Sequence, residues 1–342
     1  MGLVSAKCQE QYHYHLSATA PLSTYAFRKE PNFMLNRNTF IGPWAGVPTA
    51  WNEDGTFDEM TYRRDVRACC NAGAPGVYTH GTTGEFYAME LDEWQAVCVA
   101  AVKECHAAGT PIALGVTSTY TLGAVRRARI AAELGADAIQ LALPFWLPVG
   151  DEQVLPFFEE VAQAAPGLAI SIYDTMRSKK ALTLEQHRQI YEAAPGYMMV
   201  KSMAGTLGCS EQGCAALSEF TNVFVDENMW SRLGPHGAIG CASANFYINP
   251  KYFLSMFDAL QSQDWERLAP MCAKLEKMSL EAIQNLLPDT YHDTAYDRLK
   301  GHLAGFLQTS LSNRGPYPST SQQDIETVRN WCRREFPELL EL

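Results

Sequence analysis

Lys201 stands in Met198-Met199-Val200-Lys201-Ser202-Met203, an apolar, strand-like run that passes into a loop. A lysine amine attacks a carbonyl only when unprotonated. An apolar surround disfavours the ammonium, so this setting predicts a lowered pKa and a Schiff-base nucleophile. The alternative is a lysine whose stem is buried while its head reaches water. Two other segments bear on the choice. Ile170-Ser171-Ile172-Tyr173 ends the preceding strand-like run on a phenol. That phenol could relay protons during carbinolamine formation and carbon–carbon cleavage, or keep its ring in the core and its hydroxyl in water. In Gly81-Thr82-Thr83-Gly84-Glu85 the flanking glycines permit a sharp turn. Backbone N–H groups and two hydroxyls can then converge on an anion such as a 2-oxo acid carboxylate. Read as a plain turn, the same segment lets a threonine cap the next element while Glu85 favours a helix start.

Further candidates are weaker in isolation. Phe145 and Trp146 could floor a substrate pocket or only pack, and Arg177 could pair with a second substrate carboxylate or lie on the surface. The histidines show no ligand spacing with cysteine or acid partners, so no metal site is expected. No P-loop, GxSxG, HExxH or Ser/His/Asp arrangement is present.

These residues need elements to bring them together. From residue 40 onward, short apolar runs alternate with segments of helical period. The runs are Ile41 to Val47, Gly76 to Thr79, Ile112 to Val116, Ala138 to Leu143, Ala169 to Tyr173, Met198 to Lys201, Asn222 to Val225 and Ala238 to Ala242. Leu91, Trp94, Val97, Cys98, Ala101, Val102 and Cys105 form one helical stripe between them, and Val154, Phe157, Phe158, Val161, Ala162 and Ala165 form another. Gly73, Gly109 and Gly135 sit where helix C-terminal caps belong, and Thr183 with Gln186 resembles a capping box. Near-continuous apolar strands separated by helices predict an α/β fold, a closed (β/α)8 TIM barrel with a C-terminal helical extension. An open doubly wound sheet is the rival, but no glycine-rich dinucleotide fingerprint follows the first strand. The expected divisions are a flexible N-terminal extension over 1–38, the barrel over 39–250 and a helical region over 251–342, starting with a helical run from Tyr252 past Trp265 to about Leu286. In a barrel, strand C-termini share one mouth. Thr82, Thr83, Tyr173 and Lys201 all fall there, with Ile239 on the eighth strand.

Composition excludes several function classes. The 342-residue chain has a formal net charge of −11 and no basic cluster, so no nucleic-acid partner is expected. Its ten cysteines lack paired CxxC spacing and read as reduced thiols, consistent with a cytoplasmic protein. The longest apolar stretch, Ala138 to Val149, is interrupted by Gln140, Pro144 and Pro148 and falls short of the ~20 residues that span a bilayer. No membrane association is expected, and residues 1–38 lack a signal-peptide core.

With lysine, tyrosine and threonine pair in place, the chain resembles the dihydrodipicolinate synthase/N-acetylneuraminate lyase family of Schiff-base aldolases, over roughly residues 40–290. The resemblance rests on Gly46-Val47-Pro48-Thr49, Gly81-Thr82-Thr83-Gly84-Glu85, Gly135-Ala136-Asp137-Ala138, Ile172-Tyr173, Val200-Lys201, and Gly237-Ala238-Ile239 through Ala244-Asn245. It implies a lyase in which Lys201 forms an imine with pyruvate or another 2-oxo acid and Tyr173 relays protons. By the same match, Thr82 and Thr83 hold the carboxylate and Ile239 lines the pyruvate site through its backbone. It also implies an aldehyde partner, a homo-oligomer (tetramer or dimer) and no cofactor, because the protonated imine is itself the electron sink. Two departures bear on substrate. Phe145-Trp146 stands where the synthases carry a tyrosine pair, and Asp174-Thr175-Met176 where they carry Asn-x-Pro. Pro144-Phe145-Trp146 and the long tail look more like hydratase-aldolases that cleave aryl-substituted unsaturated 2-oxo acids. The alternatives are 4-hydroxy-tetrahydrodipicolinate synthase, a sugar-acid dehydratase, and a catalytically silent small-molecule-binding barrel.

Overall fold

The computed structural model describes residues 33–342. Most of the predicted N-terminal extension therefore lies outside the described residues. The part described is tied to the barrel: the Phe33 N–H donates to Asp137 Oδ1 at 2.8 Å, and Arg37 Nη2 donates to the Ser218 carbonyl at 2.5 Å.

Eight strands close a barrel in chain order: β1 (Gly42–Gly46), β2 (Val77–Thr79), β3 (Ile112–Gly115), β4 (Ala138–Leu141), β5 (Ala169–Asp174), β6 (Tyr197–Ser202), β7 (Asn222–Phe224) and β8 (Ala238–Ser243). Every neighbouring pair is parallel, including β8 on β1. Each predicted run matches one strand to within two residues at either end, and period-2 alternation sorts its side chains. Ile139, Leu141, Ile170, Ile172 and Val200 face the surrounding helices. Trp44, Tyr78, Ala113, Ala138, Ala169, Met199, Phe224 and Ala242 fill the lumen. Large residues from β1, β2, β6 and β7 thus oppose alanines from β3 to β5. Glycine makes room for two of the large rings: a Cβ on Gly76 would lie 2.5 Å from the Trp44 ring, and one on Gly240 2.5 Å from that of Phe224.

The helices between strands are α1 (Glu59–Asn71), α2 (Leu91–Ala107), α3 (Thr121–Glu133), α4 (Asp151–Ala164), α5 (Leu184–Ala193), α6 (Glu211–Ser218) and the short α7 (Trp230–Leu233). Gly73, Gly109 and Gly135 follow the first three in the left-handed region, with φ of 86°, 71° and 79°. That is where a helix-terminating glycine is favoured. The Thr183–Gln186 capping box opens α5.

After β8 the chain is helical, as expected, but in separate pieces: α8 (Pro250–Gln261), α9 (Trp265–Lys277), a π-helical segment (Met278–Gln284), α10 (Asp293–Leu303) and α11 (Gln322–Glu335). The break between α8 and α9 comes at Gln263, with φ of 57°, followed by Asp264, whose side chain caps α9 through the Arg267 N–H.

α10 and the segment after it return to the barrel mouth. Arg298 and Glu85 form an ion pair in which neither side chain is exposed. Arg298 also donates to the Thr49 carbonyl at 2.6 Å and to Thr309 Oγ1 at 3.0 Å. Glu85 accepts from Trp51 Nε1 at 2.7 Å and from the Arg314 N–H at 3.0 Å. Asp65 of α1 accepts from the Thr309 N–H at 2.8 Å, and the Arg314 guanidinium lies 3.9 Å from the Trp51 ring centroid. Removing one partner of a buried ion pair strands the other charge. Arg298→Met is therefore expected to cost about 3–5 kcal/mol in urea-induced unfolding; a loss below about 1 kcal/mol, the range of surface pairs, would mean that the tail is anchored elsewhere.

Candidate active site

Tyr173 and Lys201 are direct register partners on β5 and β6, each one residue from the end of its strand. Adjacent parallel strands in register put both side chains at one level on the lumen side. Lys201 Nζ lies 4.5 Å from the Tyr173 ring centroid and 5.4 Å from that of Tyr78 on β2. Tyr78 fits because glycines flank it: a Cβ on Gly46 would lie 2.4 Å from its ring, and one on Gly81 2.7 Å. Sequence reading missed Tyr78. Its inward phase on β2 and the two glycines were the signals that could have found it.

The expectation of a depressed lysine pKa is overturned. Burial pulls the Lys201 pKa down, but the oxygens of Tyr78 and Tyr173, with Cys241 and Asp226, outweigh it and hold the ammonium above the ordinary lysine range. The segment is apolar in sequence, but the groups that face the amine come from other strands. Burial, in turn, pushes the Tyr78 phenol up, against the pull of the Lys201 charge.

The lysine opens on a cavity of about 370 Å³, lined by Thr82, Thr83, Tyr173, Asp226, Asn228, Asn245, Ser279 and Lys300 among others. A second cavity of about 320 Å³ meets it at Thr82, Tyr173 and Asp293 and is walled by Phe86, Tyr87, Phe145 and Tyr317. The Phe145 ring stands edge-on to Phe86, with centroids 6.0 Å apart. Arg177 lies where the two cavities meet. Its Nη2 contacts Asp293 Oδ2 at 2.8 Å, and its Nη1 donates to Thr82 Oγ1 at 3.1 Å. Burial opposes ionisation of Asp293, but Arg177, Lys300 and Lys201 outweigh it and hold the carboxyl below its usual range.

The threonine pair lies at the mouth, but its hydroxyls differ. Thr83 Oγ1 donates to Asp297 Oδ2 at 2.7 Å, so its hydrogen is committed within the chain. Thr82 accepts from Arg177, which leaves its own hydrogen able to turn to the cavity. Two residues are elsewhere than expected. Trp146 is 73% exposed and lines an outer groove with Thr119, Leu147 and Phe157, because the chain turns outward after Pro144. Ile239 does not line the lysine cavity; it sits near the start of β8 and packs on the lumen cluster, while Cys241, Ala242, Ala244 and Asn245 form that wall. Asp293, Tyr296, Asp297 and Lys300 of α10 were also missed. Their spacing puts them on one helix face, a pattern that sequence alone cannot tell from a solvated surface. Among the described residues, no group of three or more His, Cys, Asp or Glu could hold a metal ion.

Residues 39–296 match the dihydrodipicolinate synthetase family. The chain is 26% identical over 227 residues to 4-hydroxy-tetrahydrodipicolinate synthase of Bartonella bacilliformis, covering 66% of this chain and 76% of that protein. It is 39% identical over 232 residues to a probable 5-dehydro-4-deoxyglucarate dehydratase of Streptomyces griseus, covering 65% and 71%. The solved structure of YagE from E. coli K12 in complex with pyruvate superposes with a TM-score of 0.77 at 17% identity, over 86% of this chain and 98% of that one. At that identity the likeness is one of fold.

His80 links the threonine loop to α2. It has φ of 58°, and its Nδ1 lies 3.7 Å from Cys98 Sγ. Burial, with the Arg127 charge adding, pushes its imidazole down to about 3. The unfolded chain binds that proton near pH 6.5. Stability from the neutral ring is therefore present at neutral pH and is lost as pH falls from about 6.5 toward 3, by up to about 1.4 kcal/mol per unit. His80→Asn, which tolerates the left-handed backbone, is expected to reduce the difference between urea unfolding at pH 7 and at pH 5; an unchanged difference would remove His80 as its source.

Proposed function

The chain belongs to the dihydrodipicolinate synthetase family and is a carbon–carbon or carbon–oxygen lyase, and from that premise we propose that it cleaves a 2-oxo acid by a retro-aldol reaction through an imine on Lys201. The observation that carries this reading is the register pair Tyr173–Lys201, with Nζ 4.5 Å from the phenol ring centroid. After losing a proton, the amine adds to the C2 carbonyl. The carbinolamine oxygen leaves as water with a proton relayed by Tyr173, and the protonated imine forms. The carbon–carbon bond beyond C3 then breaks, and its electron pair moves onto the imine nitrogen as an enamine. The C4 hydroxyl, supplied by addition of water where the substrate is unsaturated, gives its proton to the relay, and the fragment that bears it leaves as an aldehyde. Protonation at C3 and hydrolysis return the shorter 2-oxo acid and the free lysine. The surroundings that favour the Lys201 ammonium also favour the protonated imine, the cation on which this chemistry depends. Thr82 and backbone N–H groups of its loop would hold the substrate carboxylate, with pyruvate as the simplest 2-oxo acid.

The aromatic walls Phe86, Tyr87, Phe145 and Tyr317 beside Tyr173 favour a flat partner, as in hydratase-aldolases. Arg177 would meet a polar group at the edge of that partner. A dehydratase of hydroxylated 2-oxo acids is the second reading. It is favoured by the polar side chains Asp226, Asn228, Asn245 and Ser279 around the lysine cavity and by the 39% identity to the Streptomyces griseus protein. We propose a cytoplasmic homo-oligomer, on family grounds.

Incubation with pyruvate and sodium borohydride, followed by intact mass and peptide mapping, is expected to place a reduced adduct on Lys201. Lys201→Ala should give no adduct and no turnover while keeping its secondary structure; turnover in that variant would refute the imine. Tyr173→Phe should still bind the 2-oxo acid but lower kcat by about 10²-fold or more, and an unchanged kcat would remove the relay. Phe145→Ala is expected to raise KM for aryl-substituted substrates and leave pyruvate trapping intact; an equal KM would favour the dehydratase reading.

A further inference from the structure

Two carboxylates of α10 lie on the two cations that could otherwise take a second acid group from a substrate. Asp293 Oδ2 is 2.8 Å from Arg177 Nη2. Four residues on, and so on the same helix face, Asp297 Oδ1 is 3.4 Å from Lys300 Nζ. That face is held in place over the mouth: Asp297 Oδ2 accepts the Thr83 hydroxyl at 2.7 Å, and Arg298 is paired with the buried Glu85. Arg177 is held from the other side. Its backbone N–H donates to Thr175 Oγ1 at 3.3 Å and its Nη1 to Thr82 Oγ1 at 3.1 Å. Asp293 lines both cavities and Arg177 lines the aromatic one, so their ion pair stands at the junction, beside the threonine loop.

Charge then limits what the site can accept. Asp226 and Glu227 also line the lysine cavity, so across the two cavities the carboxyl groups of Asp226, Glu227, Asp293 and Asp297 face the cations of Lys201, Lys300 and Arg177. Among the described residues, Lys201 enters no ion pair and lies beside phenol rings. It becomes the imine cation, which balances the substrate's own carboxylate. A second substrate carboxylate would meet an Arg177 already neutralised, with Asp293 beside it. Like charges brought together cost affinity, and a fixed charge set against the wrong ligand is one way to build specificity.

We propose that Asp293 is a specificity-determining residue: as the built-in counter-ion of Arg177 at the junction of the two cavities, it restricts the site to 2-oxo acids whose far end carries no charge. The inference rests on the Lys201 imine reading and narrows its substrate class to monoanions. Arg177 keeps unused N–H donors for a hydroxyl or carbonyl of the partner fragment, but its charge is already met by Asp293. An uncharged far end also suits the aromatic walls of the second cavity. The tail helix thereby selects substrate by charge, while the barrel strands supply the lysine and the tyrosine.

The test is borohydride trapping on the full chain, read by intact mass, with 2-oxo acids paired by length: 2-oxopentanoate against 2-oxoglutarate, and 2-oxohexanoate against 2-oxoadipate. The members of each pair differ in whether the far end is a methyl group or a carboxylate. The unaltered chain is expected to be half-trapped at an about tenfold lower concentration of the monoanion in each pair. Asp293→Asn keeps the size of the side chain and removes its charge. Half-exposed ion pairs contribute little to stability, so the variant should fold, and it should raise trapping of the dianions relative to their partners by about tenfold. Adding Arg177→Gln to Asp293→Asn should abolish that gain, because the freed guanidinium is the group that receives the second carboxylate. Equal trapping within each pair by the unaltered chain would overturn this inference. So would a ratio that Asp293→Asn leaves unchanged, as a merely structural role at the start of α10 predicts, or a gain that survives Arg177→Gln. Absence of any adduct on the unaltered chain, with pyruvate included, overturns the imine reading as well.

Discussion

The ion pair between Glu85 and Arg298 holds the mouth of this barrel together. It joins residues 213 apart in sequence with no solvent on either side chain. Such a pair is poor insurance for stability in general, because the desolvation of both charges offsets much of their attraction. Its strength lies in what it forbids. With either partner displaced, a charge would sit in the core unpaired, so alternative placements of the tail are excluded. Arg298 spreads the constraint further through the Thr49 carbonyl, and Thr49 Oγ1 in turn donates to the Gly84 carbonyl at 2.9 Å. The loops after β1 and β2 and the tail helix α10 therefore share one anchor, and the threonine pair sits at its edge.

That anchor also decides what surrounds the lysine. Arg298 faces Glu85, and its neighbour Asp297 is directed to Thr83. One turn back, Asp293 reaches Arg177 between the two cavities. The lumen supplies the other half of the setting. Alanines on β3 to β5 leave space, while Tyr78, Met199 and Phe224 fill the opposite side. The amine emerges beside the two phenol rings of Tyr78 and Tyr173. The outcome is a site that favours a cation at the lysine, flanked by a polar chamber and an aromatic one.

Much of this was legible in the sequence where the signal is periodic or local. Eight apolar runs became eight strands because a parallel strand covered by helices has to be apolar on both faces. The glycines after α1 to α3 and the Thr183 capping box were readable because their conformations are set within a few residues. Thr82, Thr83, Tyr173 and Lys201 converge because strand phase alone carries them to the C-terminal mouth. The misreadings share a different cause. Trp146 is sequence neighbour to Phe145 yet turns outward, and Ile239 sits too far down β8; Glu85 does stand at the start of a short 3-10 turn (Phe86–Ala88), but its part as a buried anchor for a segment more than two hundred residues away was not readable.

The sequence by itself determined the barrel, the order of its strands and the level at which lysine and tyrosine meet, since hydrophobic period and strand phase are short-range properties. Only the tertiary structure decided the protonation bias of Lys201 and the placement of Asp293, Asp297 and Lys300 over the mouth. Electrostatics depends on distance in space, and the phenols and carboxylates that act on the amine reach it from strands and a tail helix that sequence spacing does not connect.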